Sequence, residues 1–263
     1  MENPDNKPKG RTAPANELTP NVAKVFIQWK SKNKAFSYYH KEKAEDVLLP
    51  APFIFTPLAV CQTIKGYNHK KTKTFIANEV SSIEKEIFIV NSYNALTKEK
   101  KIEYKGLYKD IKDSLDQNIK FTQSVYAAIK NKKGEMSIVN IQLNGAGLHH
   151  WYDFIKKNNI WKGSIKVTKS TEEKNGDVDY FAPVYEITSI AEDDDIKCGE
   201  LQNEVNEYLK GYFARNAEKQ DSPAQETKKE STQRAKPTGK FEKDASEPEE
   251  PINFTIDDDD IPF

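Results

Sequence analysis

The alternation of apolar and polar positions divides the chain into a patterned middle and two unpatterned ends. Residues 22–29, 36–39, 53–64, 74–80, 87–93, 120–129 and 136–143 are rich in Val, Ile, Phe, Tyr and Thr and are broken by Pro, Gly or Asn clusters, which predicts strands. Asn131-Lys132-Lys133-Gly134 predicts a hairpin turn between the last two. A further hairpin is expected from 163–171 and 178–190, turning through 172–177. Helical spacing recurs three times: Leu107, Ile111 and Leu115; Leu148, Trp151, Tyr152 and Ile155; and Leu201, Val205, Tyr208, Leu209 and Tyr212. These stripes read as core-facing. The pattern predicts a mainly β domain with added helices, arranged as an OB-fold-like antiparallel β-barrel; other small barrels fit the strand count equally well.

The unpatterned ends set the domain boundaries. Residues 1–19, with Pro4, Pro8 and Pro14, are expected to form a disordered N-terminal arm, and 20–215 the folded domain. Residues 216–253 are dominated by Glu, Lys, Ser, Thr, Gln and Pro and cannot bury enough apolar surface to offset their ordering entropy, so a disordered linker is expected there. Residues 254–263 form an acidic tip.

Charge sharpens this division. The formal net charge of -1 conceals a surplus of +12 over residues 20–167, where 25 Lys and no Arg face 13 acids, against -7 over 168–215 and -6 over 216–263. A basic body suits a polyanion, and an acidic tail suits a basic protein.

Two segments of the body combine cations with flat rings, as a site for single-stranded nucleic acid requires. In the first, Trp29, Lys30, Lys32, Lys34, Phe36, Tyr38, Tyr39 and Lys41 interleave rings and ammonium groups. In a strand Phe36 and Tyr38 share one face and Tyr39 takes the other, so one face is free to stack bases while the other packs inward. The second, with Tyr67, Lys70, Lys71 and Lys73, reads as a Lys-rich loop at a barrel rim. Tyr and Phe in strands are more often core than platform, and Lys-rich hairpins are often only solubilising. Trp151 lies on an apolar helical stripe and reads as core, whereas Trp161 reads as a rim residue.

The chain closes on Asp257-Asp258-Asp259-Asp260-Ile261-Pro262-Phe263. Four adjacent carboxylates resist burial, while Ile261, Pro262 and Phe263 offer a compact apolar plug whose terminal carboxylate a basic pocket rim can clamp. This ending resembles the acidic tip of bacterial single-stranded-DNA-binding proteins, in which Asp residues followed by Ile-Pro-Phe close a tail. The resemblance implies a body that coats single-stranded DNA in replication, recombination and repair, and a tip that recruits the proteins of those processes. It covers the tip alone. The body is longer than the compact OB domain of the bacterial proteins and lacks their usual opening, which fits a bacteriophage protein carrying a host-like tip. The tetramer of the bacterial family does not carry over, so the oligomeric state stays open. An alternative is an interaction adaptor, whose body binds RNA or protein and whose tip mimics the host protein.

Other classes find little in the chain. No stretch approaches the roughly 18 consecutive apolar residues of a membrane span, and the opening residues lack the apolar run of a signal peptide. Cys61 and Cys198 alone indicate neither a disulfide framework nor a zinc site, and a reducing cytoplasm fits, which the resemblance implies is that of a bacterial or phage-infected cell. No nucleophile, base and orienter stand at telling spacing, so no enzyme, cofactor or metal is expected. Adjacent His149 and His150 read as a helix start, Asn144-Gly145-Ala146-Gly147 as a turn, and Asp193-Asp194-Asp195 as an acidic approach to the final helix.

Overall fold

The structure is a computed structural model and describes residues 20–221. The expected N-terminal arm, most of the linker and the whole acidic tip, including Asp257 to Asp260, Ile261, Pro262 and Phe263, lie outside the described residues.

The described chain is mainly β. Its strands are β1 (Val25–Lys30), β2 (Ala35–His40), β3 (Glu45–Leu48), β4 (Phe53–Asn68), β5 (Lys73–Ala77), β6 (Phe88–Asn94), β7 (Lys100–Gly106), β8 (Ile119–Lys130), β9 (Met136–Leu143), β10 (Ser164–Asn175) and β11 (Val178–Thr188). The helices are α1 (Tyr108–Ile111), α2 (Gly145–Lys157) and α3 (Glu192–Asp221). One sheet runs β3-β2-β1-β9-β8-β4-β5-β6-β7, with β10 pairing β4 and β11 off this path.

Two features correct the expected antiparallel barrel. First, β1 pairs β9 in parallel, Val25 opposite Val139 and Gln28 opposite Gln142. No short turn joins these strands, so nothing local imposes the antiparallel sense. Second, the sheet does not close: among the described residues β11 pairs β10 alone, and β1 occupies the free edge of β9. Side chains span the gap that the ladder leaves. Trp29 Nε1 and Ser31 Oγ both donate to the Phe181 carbonyl of β11 at 2.9 Å, and the Phe181 N–H donates back to Ser31 Oγ at 2.7 Å.

The long β4 serves both parts of the fold because it is bulged. Its ladder with β8 shifts register between Pro57 and Ala59, where the missing proline N–H costs no hydrogen bond and the extra residue bends the strand. Before the bulge Phe53, Ile54 and Phe55 pair β10; after it the strand pairs β5 from Lys65 to Asn68. Farther on, Gly66 allows β8 to begin beside it, since a Cβ there would stand 2.3 Å from the Asn118 carbonyl oxygen.

Alternation assigns the two faces of the sheet. The inner face carries Val25, Ile27, Phe36, Tyr38, Phe55, Val125, Val139 and Ile141, closed over by Leu148 and Trp151 of α2 and by Ile165, Val167 and Tyr185 of the β10–β11 hairpin. A second inner cluster, with Ile64, Phe75, Phe88, Val90 and Ile111, fills the β5–β7 region. On the outer face α3 lays Cys198, Val205 and Leu209 over Cys61, Tyr126 and Ile138. Its first turn holds Glu192, Asp193, Asp194 and Asp195, where the helix dipole favours negative charge. The helix continues past Arg215 to Asp221, and α2 starts at Gly145, so the expected turn 144–147 is largely the first turn of a helix.

Candidate nucleic-acid interface

Strand directions explain where the Lys-rich turns go. Because β9 is parallel to β1, and β8 is antiparallel to both β9 and β4, strands β1, β9 and β4 all finish at the end of the sheet where β8 starts. The turn after β1, Ser31–Asn33, and the turn after β4, His69–Lys71, therefore leave the same end. Lys32, Lys34, Lys70 and Lys71 are exposed there. Each turn closes on a left-handed residue, Lys34 at φ 55° and Thr72 at φ 51°. Lys120 opens β8 at this end, with Lys65 and Tyr67 close by on β4.

The remaining sequence candidates divide. Phe36 and Tyr38 share one face as expected, but it is the inner one: they are 2 % and 5 % exposed and belong to the core, so neither ring can stack on a base. Trp29 is half-buried, stands edge-on to Phe36 at 5.1 Å and is held by its bond to Phe181. Tyr39 lies on the outer face and is half-buried. Lys30 pairs with Asp46 at 3.0 Å, and Lys34 Nζ sits 3.8 Å from the centroid of the Phe181 ring. Tyr67 is half-buried and meets His69 edge-on at 4.7 Å. Lys73 pairs with Glu103 at 3.0 Å; burial alone would raise the Glu103 carboxyl, but hydrogen bonds from Lys73 and Ser92 hold it below its ordinary value. Lys41 follows β2 at the opposite end of the sheet and is separated from the rest. Trp151 is fully buried and Trp161 is 56 % exposed.

Side chains absent from the sequence candidates complete the site. On the outer face, beyond the part that α3 covers, stand Phe26 and Gln28 of β1, Gln142 of β9, Lys120, Thr122 and Ser124 of β8, Thr63 and Lys65 of β4, and Tyr93 of β6. Lys65 and Lys120 are direct cross-strand partners. Lys65 Nζ lies 5.4 Å from the centroid of the Phe26 ring, although β9 and β8 separate their strands. The two side chains lean toward each other over β8 and β9. Thr122, Ser124 and Gln142 are buried on this outer face, so they form its floor.

The electrostatics of this floor centre on Glu79. It accepts hydrogen bonds from Ser124 Oγ and from the Tyr126 hydroxyl at 2.7 Å, and its backbone N–H donates to the Tyr212 hydroxyl of α3 at 2.8 Å. Burial, reinforced by Glu79, pushes the Tyr126 phenol far above its ordinary value. Burial lowers the Lys65 ammonium to about 8, with Glu79 acting in the opposite sense, so Lys65 remains a cation at neutral pH. Among the described residues no group of three or more His, Cys, Asp and Glu side chains gathers to hold a metal ion.

The signal for the missed residues is period-two polarity: Thr63 and Lys65 flank the core position Ile64 on β4, and Lys120, Thr122 and Ser124 share one parity on β8. It shows an outer face only once the register is known. No family model matches this chain, and no curated protein or solved structure matches it significantly.

Proposed function

We propose that the body binds single-stranded DNA across the outer face of β9, β8 and β4 at the end where the Lys-rich turns emerge. The observation that carries this reading is convergence: strand directions bring Lys32, Lys34, Lys70 and Lys71 to one end of the sheet, beside Lys65, Lys120 and Tyr67, with Phe26 and Tyr39 farther along its outer face. Cations that follow phosphates and rings that stack on bases suffice for binding without a sequence code. Lys in place of Arg suits that role, because an ammonium serves phosphate as a point charge and reads bases poorly.

Chain order supports the finer fold reading. The run β4, β8, β9, α2, β10, β11, with β4 antiparallel to both β8 and β10, follows the strand–strand–strand–helix–strand–strand order of an OB-fold, with β5 to α1 inserted after its first strand. In such folds the second and third strands and the loop after the first strand bind oligonucleotides. Here those are β8, β9 and the segment that begins with Lys70 and Lys71.

On this reading the protein coats single-stranded DNA, and Asp257 to Phe263 recruit replication, recombination and repair proteins through an apolar pocket with a basic rim. The test is fluorescence anisotropy of labelled oligo-dT, oligo-rU and duplex DNA with the full chain at two salt concentrations. Tight, salt-sensitive binding to oligo-dT supports the proposal. Preference for oligo-rU, or no binding, overturns it in favour of an adaptor whose tip mimics a DNA-binding protein.

A further inference from the structure

We infer that the bound strand continues from β4 onto the outer face of β5–β7, where Tyr93 meets a base and Lys98 and Lys100 meet the adjoining phosphates. The inference rests on the single-stranded-DNA reading and lengthens its site by three strands. Register carries the face across. Tyr67 of β4 stands opposite Thr74 of β5, Thr74 opposite Tyr93 of β6, and Tyr93 opposite Lys100 of β7. Cross-strand partners share one side of a sheet, so a row of side chains runs from the proposed site to the β7 edge. Strands about 4.8 Å apart give this row a length of about 14 Å.

This face is open and its rim is basic. The core lies on the other side, with Phe75, Phe88 and Val90, and the cluster under α3 holds no residue of β5–β7. Ile102, in the next outer row, is 55 % exposed, and Tyr93 is half-buried. Because β5 is antiparallel to both β4 and β6, the turn after β6 leaves by the same end as the turn after β4. The two turns are fastened together: the Asn94 side chain donates to the Lys71 carbonyl at 3.3 Å, and the Ala95 N–H donates to the Thr72 carbonyl at 3.2 Å. They form one ridge on which Lys70, Lys71 and Lys98 are exposed. Glu99 is the one acid from Asn94 to Lys101, against Lys98, Lys100 and Lys101. The Lys98 ammonium lies 6.0 Å from the centroid of the Tyr93 ring, so a cation for phosphate and a ring for a base stand together. Both continue the Tyr67 end of the proposed site.

The test measures binding of fluorescein-labelled oligo-dT of about 30 nucleotides, longer than the roughly 4–16 that one OB fold holds, over a range of salt concentrations. The full chain is compared with Lys98→Met, Lys100→Met, their double variant, Tyr93→Ala and Tyr93→Phe. Lys101→Met is the control: it is exposed on the same strand but stands opposite the buried Ser92, on the other face. Lys98→Met and Lys100→Met are each expected to reduce the salt slope by about 0.7, the contribution of one phosphate contact to a single strand, and the double variant by about 1.4. Lys101→Met is expected to keep the slope. Tyr93→Ala is expected to weaken binding about tenfold, the scale of one lost stacked base, and Tyr93→Phe, which keeps the ring, to bind like wild type.

A wild-type chain that binds oligo-dT while every variant keeps its slope and affinity overturns the extension and leaves the functional reading standing. A slope lost in Lys101→Met as fully as in Lys100→Met also overturns it, since the charge then acts without regard to face. Should Tyr93→Ala not fold, the slopes of the lysine variants decide. A wild-type chain that fails to bind oligo-dT overturns the functional reading, and this inference with it.

Discussion

Lys65 and Lys120 stand directly opposite each other on the β4–β8 ladder, on the outer face of the sheet, which α3 covers only in part. Lys65 is the more buried of the two, and stability is expected to rise when its charge is removed. Removing the Lys65 charge relieves its desolvation, and a shift from 10.5 to about 8 corresponds to at most about 3 kcal/mol. Urea unfolding of Lys65→Met at pH 7 is expected to show a gain within that limit, while oligo-dT affinity falls. A variant that loses both stability and affinity would assign Lys65 a structural role only.

The same lysine gives a pH prediction with a defined sign. Its folded value lies below its unfolded one, so between about pH 8 and 10.5 the unfolded chain holds more protons and stability rises with pH. Below that window the penalty is fully present; above it the penalty is gone. The buried Cys61 and Cys198 and the half-buried Tyr208 are raised by burial and act in the opposite direction at high pH. The measurement is therefore a difference: the stability gain of Lys65→Met over wild type should shrink steadily from pH 8 to 10.5.

Rings of the first Lys-rich segment should separate by face. Phe36→Ala empties a core position that is 2 % exposed and is expected to cost about 3–5 kcal/mol of stability. Tyr39→Ala and Tyr67→Ala remove half-buried outer rings and are expected to cost less stability while weakening oligo-dT binding by about 1–3 kcal/mol each. Thermal unfolding and anisotropy on the same samples check both halves. Equal DNA affinity in wild type, Tyr39→Ala and Tyr67→Ala would remove these rings from the interface.

How far this was legible in the sequence follows from which forces are local. The β8–β9 hairpin was readable because Asn131 and Gly134 shape the turn: Asn131 Oδ1 accepts from the backbone of Lys133 and Glu135, and Gly134 takes φ 85°. The stripes of α2 and α3 were readable because their packing follows helical spacing. Strands β3 and β7 escaped: Glu45–Leu48 is short, and Lys100–Gly106 carries its charges at both parities. Alternation separated Phe36 and Tyr38 from Tyr39, but which side faced inward depended on distant α2 and β11. The Lys65–Lys120 pair depended on register between strands that the whole β5-to-α1 segment separates in sequence.

The open side of the sheet offers a last prediction. Ser31 Oγ both donates to the Phe181 carbonyl and accepts from its N–H, so one hydroxyl stands in for a ladder pair between the β1 end and β11. Ser31→Ala leaves the N–H to water and the carbonyl to Trp29, whose Nε1 already shares it. The expected cost is about 1–3 kcal/mol, the range for stranding partly buried polar groups. Amide exchange should localise it: the Phe181 N–H is expected to exchange faster in Ser31→Ala, while Val139 and Ile141, inside the β9 ladder, change only as far as global stability falls. If exchange accelerates equally at Phe181 and across β9, the hydroxyl contributes to overall stability and does not specifically tie β11 to the sheet.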